Sequence, residues 1–215
     1  MNTERLLEII EQLLADFCIA KSCLSCEAEI SSKIVNEEKV IHEEFFLLAR
    51  ESFLYTGTII LRKAFEKDDK NSPLSVYQLI KWVSNTIPTK NNKKQKETLR
   101  VIELELNNLS PITDKLKNQR DKFYAHNDKG LINPIKLEAL SNLTRSEKEQ
   151  LITFGIRTLS KLRAICKNEE YVYYDYHDHS TMRLKCVFSD LNKFYEILEI
   201  ESERLRKEVK DGQSV

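Results

Sequence analysis

Arg120-Asp-Lys-Phe-Tyr-Ala-His126 is the segment whose residue types best suit chemistry. A histidine titrates near neutral pH, so His126 can take up and return a proton. An arginine presents a rigid fork of donors, so Arg120 can hold negative charge on an oxyanion. Asp121 can orient either of them. The spacing by itself decides nothing. With 4 histidines and 11 arginines in the chain, roughly 0.6 such pairs are expected by chance, or roughly 0.1 when Asp, Asn or His must follow the arginine. The plain alternative is a histidine that caps a helix C-terminus beside a surface Arg–Asp pair of little energetic weight.

Geometry sharpens the choice. Six steps along an α-helix turn through about 600° and leave the two side chains about 120° apart and ~9 Å apart along the axis. Within one helix they do not converge. Either the helix ends before His126, or a second copy of the chain completes the pair across a two-fold axis. The polar Asn127-Asp-Lys-Gly130 stretch that follows suits the first case.

The elements that must position this segment read as helices. Leu6, Ile9, Ile10, Leu13, Leu14, Phe17 and Leu24 recur at helical spacing over 3–31. Asn36, with Glu37 and Glu38 behind it, reads as the start of a second helix running to a break at Lys67–Ser72. Its apolar stretch from Phe53 to Leu61 predicts a central helix buried on several faces. Ser72-Pro73 reads as the cap of a short helix with Tyr77, Leu79, Ile80 and Trp82, ending near Pro88. Thr89–Lys96 reads as a basic loop. Leu99, Ile102, Leu106 and Leu109 mark a helix over 98–109, and Ser110-Pro111 opens the helix that carries Arg120 near its end. Thr144-Arg-Ser-Glu147 matches a capping box for a helix to about Lys167. Tyr171–Tyr176 is aromatic and β-prone, and Thr181–Phe188 is the strand expected to pair with it. Ser189-Asp190 then opens a last helix.

Composition agrees with an all-α antiparallel bundle of six or seven helices, with a small hairpin near 171–188. Only 4 Gly and 4 Pro stand in 215 residues, too few for the tight turns of a β-sandwich or a Gly-rich nucleotide fold. Neither an internal repeat nor a linker composition divides the chain, so a single domain over 1–215 is expected. The formal charge balances at zero, which leaves any nucleic-acid contact to a local patch. No apolar run reaches ~18 residues, and no secretory pattern opens the chain; cytoplasmic residence without membrane contact is expected.

Three stretches in order carry a family resemblance. They are the apolar helix Ala49-Arg-Glu-Ser-Phe-Leu-Tyr-Thr-Gly-Thr-Ile-Ile-Leu-Arg62, then Ser72-Pro-Leu-Ser-Val-Tyr-Gln-Leu-Ile80, then Arg120-Asp121 with Ala125 before His126. This order resembles the HEPN superfamily and, within it, the abortive-infection U-type (AbiU-like) proteins of bacteria, over about residues 35–165. The resemblance implies a helical bundle that dimerises. In catalytic members the paired Arg…His motifs line a cleft at the dimer interface and cut RNA without a metal or other cofactor. It implies a toxin or phage-defence role, with an antitoxin or regulatory protein as a further partner. His126 would then be the acid/base, Arg120 the phosphate clamp and Asp121 its orienting neighbour. Lys117, Lys122, Asn127 and Lys129 would hold the RNA backbone. The alternative is a non-catalytic helical module of the same type that binds RNA or a protein. In some HEPN toxins a modified tyrosine lies two residues after the motif histidine; here that position is Asp128, so that control is not carried over.

The remaining constellations are weaker. Cys23-Leu-Ser-Cys26, with Cys18 nearby, lacks the second close pair that zinc requires; Cys166, Cys186, His177 and His179 are scattered. Thiols packed in helices are the expected state. His42-Glu43-Glu44 lacks the second histidine of a metalloprotease motif. The tyrosines of 171–176 suit packing better than base stacking.

Overall fold

A computed structural model describes residues 2–36, 44–67, 74–86, 93–119, 143–170 and 179–212. They form α1 (Thr3–Val35), α2 (Glu44–Ala64), α3 (Val76–Thr86), α4 (Lys93–Asn108), α5 (Ser110–Gln119), α6 (Arg145–Lys167) and α7 (His179–Gly212). The described residues contain no strand, and none of their helices is long and apolar enough to cross a membrane. The all-α reading therefore stands. The expected hairpin does not: Thr181–Phe188 lies inside α7, which starts at His179 rather than near Ser189. Residues 171–178, its other half, lie outside the described residues.

The chain divides into two compact units. Unit 1 holds residues 1–23 and 55–177, and unit 2 holds residues 24–54 and 178–215. In unit 1, α3 packs on α4 and α6, and α4 on α5 and α6. The predicted α1 stripe is buried from Leu6 through Phe17, and so are Leu99, Ile102, Leu106 and Leu109. Phe65 links two rings at the centre, with Phe17 at 5.6 Å and Phe154 at 6.2 Å between centroids. Gly155 lets α6 approach α1. A Cβ there would lie 2.2 Å from Phe17 Cζ, closer than real side chains allow.

In unit 2 a small cluster forms from Ile30, Phe46 and Phe188, with Leu184, Leu191 and Tyr195 packed against it. The α7 residues 184, 188, 191 and 195 recur at steps of four, three and four, which is helical spacing. That spacing prevails over the β-prone tyrosine run before it. Here α2 departs from expectation. Within Phe53–Leu61, Thr58 and Leu61 are fully buried and Phe53, Leu54, Ile59 and Ile60 half-buried, but Tyr55 is exposed, and earlier in the helix Phe45 and Leu48 are each 67% exposed.

Caps explain most of the remaining boundaries. Asn36 closes α1, its N–H donating to the Ser32 carbonyl at 3.1 Å. The α3 cap is Ser75, whose Oγ accepts from the Gln78 N–H at 3.3 Å; Ser72-Pro73 lies outside the described residues. Lys93–Lys96, expected in a loop, forms the first turn of α4. The α6 capping box is present as read. Thr144 Oγ1 accepts from the Glu147 N–H at 3.2 Å, and Glu147 Oε2 accepts from the Thr144 N–H at 2.7 Å. Asn168 ends α6 in the left-handed conformation (φ 54°), which asparagine tolerates.

Candidate functional site

Of the site residues expected from sequence, Lys117 falls within the described residues. Arg120, Asp121, Lys122, His126, Asn127 and Lys129 lie in residues 120–142, outside them. The structure therefore frames the candidate site by its two shoulders, α5 leading in and α6 leading out.

The sequence makes α5 a firm shoulder. Leu116 and Thr113 are buried, while Lys117 stands exposed in the last turn. A lysine there also suits the negative end of the helix dipole. An ion pair joins the shoulders: Lys115 Nζ lies 2.6 Å from Glu147 Oε1. Lys115 stands five residues before Arg120, and Glu147 is the capping-box acid of α6. The pair thus brackets the candidate segment at both ends. Burial pushes the Glu147 carboxyl up. The hydrogen bonds from Lys115 and Thr144, with the lysine charge, outweigh it and hold the group below its ordinary value of 4.5.

A cleft of about 260 Å³ opens where the end of α2 meets α5, lined by Arg62, Glu66, Lys67, Thr113, Asp114 and Lys117. Arg62 is 5% exposed and pairs with Glu66 at 2.5 Å. Its Nε has no hydrogen-bond partner among the described residues. A buried donor left unmade costs about 1–3 kcal/mol. Lys67 reaches across from the end of α2, donating to Ser110 Oγ at 2.9 Å and lying 3.4 Å from Asp114. These contacts fix the start of α5.

A larger groove of about 970 Å³ lies between α4 and the end of α6, with Lys93, Lys94 and Lys161 among its walls and Val101 and Ile165 as apolar lining. Gln95 Nε2 and Asn168 Oδ1 meet at 3.4 Å there. The three thiols Cys18, Cys26 and Cys166 are buried. Burial raises Cys18, and it pushes Cys166 up to about 11. Among the described residues no group of histidine, cysteine and acid is placed to hold a metal ion.

Sequence reasoning missed Arg62 and the Lys115–Glu147 tie. The i,i+4 spacing of Arg62 and Glu66 was open to view. Nothing in the chain marks a partner 32 residues away.

Comparison with curated proteins and with solved structures finds no match. The model of the HEPN family described as AbiU2 matches residues 3–185. It takes in the whole of α1 and the first turns of α7, beyond the stretch of about 35–165 that carries the motif resemblance. The helical architecture and the family pattern agree, and the chain belongs to the AbiU2 family of HEPN proteins.

Proposed function

We propose that this protein is a metal-independent endoribonuclease, acting as a homodimer in phage defence or as a toxin, with Arg120 and His126 as its reacting pair. The observation that supports the reading is the family match over residues 3–185, a span that takes in residues 120–126. In the proposed reaction the ribose 2′-oxygen attacks the adjacent phosphorus. The P–O2′ bond forms as the P–O5′ bond breaks, leaving a 2′,3′-cyclic phosphate and a 5′-hydroxyl. His126 takes the 2′-proton or supplies one to the departing 5′-oxygen. Arg120 meets the charge spread over the phosphoryl oxygens, and Asp121 orients the pair. Lys117, Lys122, Asn127 and Lys129 hold neighbouring phosphates. The nucleophile belongs to the substrate, so no metal-bound water is required.

A second reading rests on a separate observation. Large apolar side chains stand exposed along α7, among them Ile197 at 58% and Ile200 at 66%. Such a face suits a protein partner, as a non-catalytic binding module would use. His126→Ala separates the two. Wild-type protein is expected to cut single-stranded RNA in excess EDTA and to leave cyclic phosphate ends. The variant is expected to lose at least 100-fold of that rate. Equal cleavage by the variant would remove His126 from the chemistry.

A further inference from the structure

The face of α7 turned away from its own core has a symmetric pattern. Leu184, Phe188, Leu191 and Tyr195 pack on the unit 2 cluster. Ile197 stands nine residues beyond Phe188, about 900° round the helix and so on the opposite face. Phe194, Ile197 and Ile200 are each more than half exposed there. Charged side chains flank them: Asp190 beside Lys193 at 3.4 Å, and Glu201 beside Arg204 at 3.3 Å. All four are exposed.

We infer that α7 pairs with α7 of a second copy of this chain, antiparallel, about a two-fold axis at Ile197. In such a pair a residue k positions before 197 faces one k positions after it. Ile197 meets Ile197, Phe194 meets Ile200, Lys193 meets Glu201, and Asp190 meets Arg204. Each unlike pair occurs twice by symmetry. The apolar centre is thus closed at both ends by opposite charges, the pattern that sets partner and direction between helices. A parallel pair would instead set Asp190, Lys193, Glu201 and Arg204 each against its own copy, like charge on like. The charges therefore select both the occupant and its orientation. A contact of this length falls at the low end of specific interfaces, so it is expected to depend on protein concentration. The inference deepens the proposed function and rests on it only in that two copies are called for; it names the surface by which they meet.

The test is the mass of the full chain by sedimentation across a wide concentration range. Wild type is expected to dimerise. Ile197→Glu is expected to weaken the dimer at least 100-fold, with the far-UV circular dichroism unchanged. Asp190→Arg sets two arginines together and is expected to weaken it about 10-fold. The double variant Asp190→Arg, Arg204→Asp restores opposite charges and should recover most of that loss. A wild-type monomer at every concentration would overturn the inference, and so would a dimer indifferent to these changes. If His126→Ala abolishes cleavage while the α7 variants remain dimeric, the interface fails and the chemistry stands. If the α7 variants dissociate while His126→Ala still cuts RNA, the chemistry fails and the interface stands.

Discussion

Unit 1 has a broad buried core, and unit 2 has a small one that leaves many large side chains outside. In unit 1 Phe17, Phe65 and Phe154 are at most 3% exposed, and the packing is close enough that one position admits only glycine. In unit 2 the fully buried cluster is Ile30, Phe46 and Phe188, while Val35, Phe45, Leu48, Phe194, Ile197 and Ile200 are all more than half exposed. The same helical grammar builds both. The difference is one of degree: among the described large apolar residues of unit 1, Leu104 is more than half exposed, whereas unit 2 leaves the six named above so. The packed core of unit 1 holds α5 and α6, the helices on either side of residues 120–142 in sequence. An open unit gives a place to meet a partner.

That contrast can be broken by substitution. Phe17→Ala should be the most damaging change in unit 1, because it removes a ring with 0% exposure from a core that cannot collapse around the gap. A loss of about 3–5 kcal/mol is expected in denaturant unfolding. Gly155→Ala comes next. Alanine gains up to ~1 kcal/mol of helix propensity, but its methyl would overlap three atoms of the Phe17 ring. Overpacking costs typically ~1–3 kcal/mol, so a net loss of about 1–2 kcal/mol is expected. Phe17→Leu in the same chain should relieve part of it. Phe194→Ala in unit 2 should change unfolding by less than about 0.5 kcal/mol at protein concentrations where the chain is monomeric. A loss there as large as that of Phe17→Ala would erase the distinction between the units.

The smallest effect concerns the tie across the candidate site. The folded Glu147 carboxyl sits below its ordinary value of 4.5. A depressed carboxyl stabilises the fold above the unfolded value and loses that contribution as pH falls through the folded one. Wild type should therefore melt above Glu147→Gln at pH 7. The difference should shrink as pH drops below about 4.5. A constant difference down to pH 3 would show that the charge of Glu147 is not what holds the shoulders together.

Local patterns were legible and distant pairings were not. Leu6 through Phe17, the α4 stripe and the Thr144–Glu147 capping box could be read because each depends on neighbours within a few residues. The cover over α2 was overestimated at Tyr55, since helical spacing shows that a face is apolar and not whether the chain covers it. Thr181–Phe188 was misread because the tyrosines before it outweighed the spacing of Leu184, Phe188 and Leu191. Arg163 with Glu11, Lys67 with Asp114 and Lys115 with Glu147 meet only through the packing of helices far apart in sequence. For the candidate site, residue types suggested the acid/base and the clamp, and the order of the helices suggested the family. The cleft beside Arg62 depends on how α2 meets α5, which no local pattern encodes.

The most direct test of the shared site mixes two inactive proteins. Arg120→Ala and His126→Ala should each fail to cut RNA. Mixed and allowed to exchange subunits, they should recover up to about one quarter of wild-type cleavage, because a mixed dimer holds one intact Arg120–His126 pair across the two-fold axis. A mixture as inert as its parts would contradict a site completed by the second copy. Cleavage by either variant alone would contradict the assigned chemistry.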